Sequence, residues 1–268
     1  MPTHTLTATN TGVLDMPHSP AFDAAGNLWV ANSHADQVVK YTTNPTTGVR
    51  APSVTATLKL NATTNAVPAA LAFDSAGNLW VTDALHDVVL KYTAASLTNG
   101  ASPLPVTAVT GFGDIGGVMI AFGPSPPGTA GGERLWVPVD STKTLHGYSA
   151  AQLAAPNVNA PGSVTITGAG FAPFSVAFDA AGNMYVADLD GDAVLIYTAR
   201  QTTISGSGPP AGAIANGVPR QLVGPVGLAF DVAGNLWVGS FFGDRIVKYT
   251  KAQLTAVLPP AAPAPLGP

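Results

Sequence analysis

The chain contains no cysteine, which excludes disulfides, thiolate nucleophiles and Cys-ligated metals. Charge is scarce as well: 10% of its 268 residues are Asp, Glu, Lys or Arg, and the formal net charge is −4. A chain so poor in basic residues lacks the electrostatic footprint that nucleic acid requires, so no nucleic-acid partner is expected. No apolar run reaches the length of a membrane-spanning helix, and no membrane insertion is expected. A Walker loop, an HExxH helix and a GxSxG elbow are all missing, which removes three common catalytic signatures. Glycine (29) and proline (24) are abundant instead, as suits many short strands joined by turns.

Those turns are organised. The string Phe-Asp-x-Ala-Gly-Asn-(Leu/Met)-(Trp/Tyr)-Val begins at Phe22, Phe73, Phe178 and Phe230, with a degenerate copy at Phe122. The copies lie 51, 49, 56 and 52 residues apart. A period near that length with β-type composition marks an array of small sheets, a propeller. In the second copy, Ala70–Phe73 reads as a first strand (a), 74–78 as a turn, and Leu79–Thr82 as strand b. Val88–Tyr92 reads as strand c and Val106–Val109 as strand d. The distance from Trp/Tyr to the Tyr of strand c is 12 residues in every copy, so the b–c hairpin has one length throughout. A Pro five residues before the repeat Phe (Pro17, Pro68, Pro173, Pro225) enters the innermost strand, where one amide can go unpaired.

The expected fold is therefore all-β: a five-bladed propeller of four-stranded antiparallel blades over residues 1–257. The last repeat stops after strand c, and Thr5–Thr9 resembles a strand d. The N-terminal strand is thus expected to complete the last blade and remove a sheet edge. Residues 258–268, rich in Pro and Ala, read as a tail.

The motif from Gly227 to Val238, Gly-Leu-Ala-Phe-Asp-x-Ala-Gly-Asn-Leu-Trp-Val, resembles the NHL repeat of bacterial propellers. The trailing Tyr249–Leu254, with its counterpart Tyr148–Leu153, is similar to a variant found in secreted bacterial proteins. The resemblance covers nearly the whole chain and implies the fold. Propellers of this kind include protein- and RNA-binding modules, lyases, and relatives of the metal-dependent lactonases of the SMP-30/gluconolactonase group. The repeats here are longer than that family's, and there are five rather than six. The resemblance, with low charge and richness in Ala, Thr, Pro and Gly, leads to the expectation of a secreted or periplasmic protein whose signal peptide is absent from this sequence.

Function must then sit in residues that do not recur. In an up-and-down blade the b–c and d–a loops share one face, here called the top. Five Phe lie outside the repeat columns, Phe112, Phe171, Phe174, Phe241 and Phe242, and all are read as top-face loop residues. His18, His34 and Asp190 join them as candidate ligand-binding residues, because an apolar wall with a few converging polar groups is the usual form of a ligand site. Asp15, Asp83, Asp140 and Asp188 are candidate ligands of Ca²⁺ or another divalent cation, since oxygen-rich loops suit hard cations. Asp83 and Asp188 stand three residues after the repeat Trp/Tyr, and Asp15 two before Pro17, a spacing similar to that of a metal-binding Glu in the lactonases. Asp188-Leu-Asp-Gly-Asp192 slightly resembles a calcium loop. His18, His34 or Asp188 could serve acid–base chemistry, but catalytic residues cannot be assigned. The leading expectation is a non-catalytic, monomeric binding propeller whose partner on the top face is a small molecule, glycan or protein. The alternative is a metal-dependent lactonase or lyase with an axial cation.

Overall fold

The computed structural model describes residues 14–43, 50–59, 65–97, 103–115, 118–124, 132–159, 161–168, 171–206, 208–215 and 222–258. These form a five-bladed β-propeller of small antiparallel blades. Blade 1 is β1 (Pro17–Phe22), β2 (Leu28–Asn32), β3 (Gln37–Thr43) and β4 (Arg50–Lys59). Blade 2 is β5 (Pro68–Phe73), β6 (Leu79–Asp83), β7 (Val88–Tyr92) and β8 (Thr107–Val109). Blade 3 is β9 (Ala121–Gly123), β10 (Arg134–Val139), β11 (Thr144–Ser149) and, after the short helix α1 (Ala150–Leu153) and β12 (Asn157–Val158), β13 (Val164–Thr167). Blade 4 is β14 (Pro173–Phe178), β15 (Met184–Asp188), β16 (Ala193–Tyr197) and β17 (Gly212–Ile214). Blade 5 is β18 (Pro225–Phe230), β19 (Leu236–Ser240) and β20 (Arg245–Tyr249), followed by α2 (Lys251–Val257). The expected closing strand, 5–9, and the tail from 259 onward lie outside the described residues.

Each recurring residue has a bond to make. The turn Asp accepts from two backbone amides and from the Asn four residues on; Asp74 does so from Ala76, Asn78 and the Asn78 side chain. Its second oxygen takes the indole N–H of the repeat Trp, at 3.1, 3.0 and 3.2 Å for Trp29, Trp80 and Trp237. The turn Gly sits at positive φ, near 79° at Gly26 and Gly77, where a Cβ is disfavoured. Lys40, Lys91 and Lys248 lie 5.1, 5.1 and 5.0 Å from the centres of Trp29, Trp80 and Trp237, in cation–π range. The Pro at the start of the inner strand coincides with a register shift in blades 1, 2, 4 and 5, which is where a residue without an N–H is tolerated.

Blades pack by aromatic pairs. The repeat Trp or Tyr of one blade meets the repeat Phe of the next: Trp29–Phe73, Trp80–Phe122, Trp136–Phe178 and Tyr185–Phe230, with centroids 6.0, 5.7, 6.4 and 5.0 Å apart. The inter-blade clusters around these pairs are the core. Blade 5 ends the series. Trp237 is 40% exposed and Ile246 72%, whereas Trp29, Trp80 and Trp136 are at 1%, and Val38, Val89, Leu145 and Val194, which share Ile246's place in strand c, are at 0%. Phe22, whose counterparts meet a neighbour's ring, is also exposed.

One strand was not legible as such. The four-stranded sheet of blade 2 gains β12, which pairs in parallel with β8 (Asn157 with Ala108, Val158 with Val109). A similar parallel bridge joins Gly206 to Ile166. In both, the c–d connection of one blade reaches back to the outer edge of the preceding blade and covers an exposed ladder.

Candidate functional site

The top face is built on the b–c hairpins, and these share a rigid frame. Three residues after the repeat Trp/Tyr stand Asn32, Asp83, Val139, Asp188 and Ser240, all buried. The polar ones fasten the preceding d–a loop. Asn32 Oδ1 accepts the N–H of Asp15 at 2.6 Å. Asp83 Oδ1 accepts from Val67 and Leu85 at 3.1 Å, Asp188 Oδ1 from Ala172 and Gly191 at 2.9 and 3.2 Å, and Ser240 Oγ from Val223 at 2.7 Å. Seven residues after the Trp/Tyr the backbone is left-handed, with φ of 54°, 51°, 53°, 50° and 49° at Asp36, Asp87, Lys143, Asp192 and Asp244. Asp tolerates that conformation better than most residues. Asp87 and Asp192 also accept the N–H of Ile115 and Gly224 in the next blade's approach loop, at 3.0 and 2.8 Å.

Of the three positions between these fixed ones, the first two form the tip of each hairpin. They read Ser33-His34, Ala84-Leu85, Asp140-Ser141, Leu189-Asp190 and Phe241-Phe242 around the ring. Function is free to vary there without disturbing the scaffold. The Phe241–Phe242 tip is pinned by N–H donation to the carbonyls of Gly224 and Val223, at 2.9 and 3.1 Å. Its two rings stand edge to face at 5.1 Å, 64% and 67% exposed. Met16 and Leu85 are exposed on the same face. Both were overlooked in the sequence, although Leu85 occupies the same tip position as Phe242 and alignment of the tips would have found it.

The other candidate residues are dispersed. Phe112 and Phe171 are buried, at 4% and 3%, and do not form an open wall with the pair on blade 5. Phe112 stands edge-on to Tyr148 at 5.9 Å in the core between blades 2 and 3, and Phe171 lies in the cluster between blades 3 and 4. Phe174 is a strand residue rather than a loop residue, half-buried in β14. His18 donates from Nδ1 to the Ala69 carbonyl at 2.9 Å, linking blades 1 and 2. His34 lies 3.1 Å from Asp15. Asp190 faces Lys143 at 3.5 Å, and the same lysine holds Asp140 at 2.6 Å; these carboxylates raise the Lys143 pKa.

The four acids proposed as metal ligands do not assemble. Asp83 and Asp188 are engaged by backbone amides as above, Asp15 by His34 and Asp140 by Lys143. Among the described residues no group of three or more His, Asp or Glu is arranged to hold a metal ion. The axial cavity, about 370 Å³, is walled by inner strands of all five blades, including Ser19, Leu71, Phe122, Ser175 and Phe230, and among the described residues its lining carries no titratable side chain. Asp83 does hold one imidazole: its second oxygen lies 2.8 Å from Nδ1 of the partly exposed His86.

Comparison with known proteins supports the architecture. No family model matches the chain, and neither does any curated protein. A virginiamycin B lyase from Staphylococcus aureus, solved with quinupristin, superposes with a TM-score of 0.56 at 13% identity, over 87% of this chain and 65% of that one. A candidate 6-phosphogluconolactonase from Bacteroides uniformis gives 0.58 at 15% identity, over 90% and 68%. A functionally unknown protein from Desulfotomaculum acetoxidans gives 0.59 at 16% identity, over 91% and 68%. These likenesses establish the propeller fold and nothing narrower. The chain spans about two thirds of the length of these neighbours.

Proposed function

We infer that the chain is a non-catalytic binding propeller that presents its top face to a protein surface. The observation that carries this reading is the Phe241–Phe242 tip. Two large apolar side chains are exposed on a backbone fixed by two hydrogen bonds, where the other hairpins carry small, polar or single aliphatic residues. Exposed aromatics on a rigid loop bind without a large ordering cost and are typical anchors of protein interfaces. Asp140, Asp190 and Lys143, flanking on blades 3 and 4, suit a polar rim. The test is selection of ligands from a displayed peptide library, with a glycan array run in parallel, using the wild type and the double variant Phe241→Ser/Phe242→Ser. Peptide ligands that bind the variant at least about tenfold more weakly, at unchanged melting temperature, are expected. Ligands that bind both proteins equally would move the site elsewhere.

A lactonase or lyase is the second reading, and the His86–Asp83 pair favours it. An imidazole oriented by a buried carboxylate is suited to general-base work. Hydrolysis of simple lactones with and without added Ca²⁺, Mn²⁺ or Zn²⁺, abolished by His86→Asn, would displace the binding reading.

A further inference from the structure

On the opposite face, between blades 4 and 5, lies a cavity of about 600 Å³, within the usual size of a small-ligand site. Its apolar wall includes Phe230, Leu254 and Leu258, and its polar groups include Asp179, Tyr185 and Lys251. We propose that this cavity binds a small organic monocarboxylate with an apolar body, its carboxylate on Lys251 and its body against Phe230 and Leu254.

The cavity lies where blade 4 departs from the repeat. The Trp column carries Tyr185, the smaller ring. The Lys that covers Trp29, Trp80 and Trp237 is replaced by Ile196. The Asp179 carboxylate accepts from the amides of Ala181 and Asn183 and from the Asn183 side chain, each at 2.9 Å, and more distantly from the Tyr185 hydroxyl at 3.4 Å. Both oxygens are thus engaged within the turn, and among the described residues no ion pair joins Asp179 to Lys251. Asn183 Oδ1 is taken by the N–H of Ala199, and the Thr198 hydroxyl donates to Gln201.

Lys251 differs. The equivalent position holds Ala94, Ala150 and Ala199 in blades 2, 3 and 4. Its ammonium makes no ion pair among the described residues, and it is the only cation of the cavity lining. A lone ammonium beside a mainly hydrocarbon wall selects an anion attached to an apolar group, because each half of the ligand finds its complement. Neutral sugars find too few unengaged polar partners here, and dianions find one cation only.

Benzoate, phenylacetate and octanoate, each paired with its primary amide, are suitable probes, read by saturation-transfer NMR and calorimetry on the full chain. At least one acid is expected to bind saturably, and its amide about tenfold more weakly, since a charge-assisted contact is lost. Lys251→Ala, which installs the residue of blades 2, 3 and 4, should abolish the preference of acid over amide. Tyr185→Trp restores the repeat ring, should fill the cavity, and should weaken acid and amide alike. Phe241→Ser/Phe242→Ser should leave binding unchanged, which separates this site from the top face. No saturable binding by any of the acids, or binding indifferent to both Lys251→Ala and Tyr185→Trp, would overturn the proposal.

Discussion

At the scale of single residues, the left-handed position of the b–c hairpins shows how the repeat chooses its side chains. Four blades place Asp there and blade 3 places Lys143, with φ of 53°. Lysine has no short polar group to bond its own backbone in that conformation, which costs about 1 kcal/mol. Its contacts with Asp140 and Asp190 are solvent-exposed and contribute little. Lys143→Asn is therefore expected to raise stability by about 0.5–1 kcal/mol in urea unfolding. The turn acids determine the response to pH. The Asp231 carboxyl is held at about 2, against an ordinary 3.8, by the Asn235 side chain and amide, with the Trp237 indole and Lys248 assisting against desolvation. For Asp23 burial pulls upward, but the bonds from Asn27 and Trp29 and the Lys40 charge bring the net shift downward. Carboxyls depressed by folding add stability that is complete above the unfolded value and lost as pH falls through the folded one. The turn acids by themselves should thus leave the urea midpoint level above about pH 5 and lower it between about pH 4 and pH 2, with a shallower fall in Asp231→Asn. His146 works in the same direction at higher pH. Burial lowers its pKa below 6.5, and its ring is served by Thr144, Thr165 and the Gly162 amide. Protonating it below pH 6.5 opposes folding.

At the scale of elements, the hairpins were legible in the sequence because each recurring letter answers to a local bond. Strand c of blade 2 was read at its true bounds, and strands a, b and d to within two residues. The outer parallel strand β12 was not, because Asn157–Val158 pairs with residues nearly fifty positions earlier and carries no alternation of its own. Burial of loop aromatics is non-local for the same reason. Phe112 and Phe241 both follow short, glycine-containing stretches, and only the approach of the neighbouring Tyr148 makes the first a core residue. The loop acids were misjudged through a related gap: a carboxylate three residues past a Trp looks the same in sequence whether it meets a cation or the amides of a loop sixteen residues upstream. That β12 has a structural role can be checked. Val158 is buried against the core of blades 2 and 3, so Val158→Ala should cost about 1.5–2.5 kcal/mol, the loss of two methyl groups plus the cavity left behind.

At the scale of the whole molecule, the five blades are not equally secured. Blades 2, 3 and 4 have a neighbour's aromatic ring on each flank, whereas among the described residues no ring pairs with Trp237 of blade 5, which is part-exposed. Trp237 should therefore supply the quenchable part of the intrinsic fluorescence. Acrylamide is expected to reach one tryptophan population and leave the buried three dark to it, and Trp237→Phe should remove the accessible fraction. A quenching curve unchanged by that substitution would mean that the flank is covered in solution. The junction of blades 5 and 1 is thus the weakest point of the ring among the described residues. When each unit is stabilised chiefly by its neighbours, loss begins where inter-blade packing is thinnest and travels away from it. The amides of β20 should exchange with solvent before those of β6 or β15, and a protease or a pulling force should part the ring first at the junction of blades 5 and 1, like a fan opened at its outer ribs.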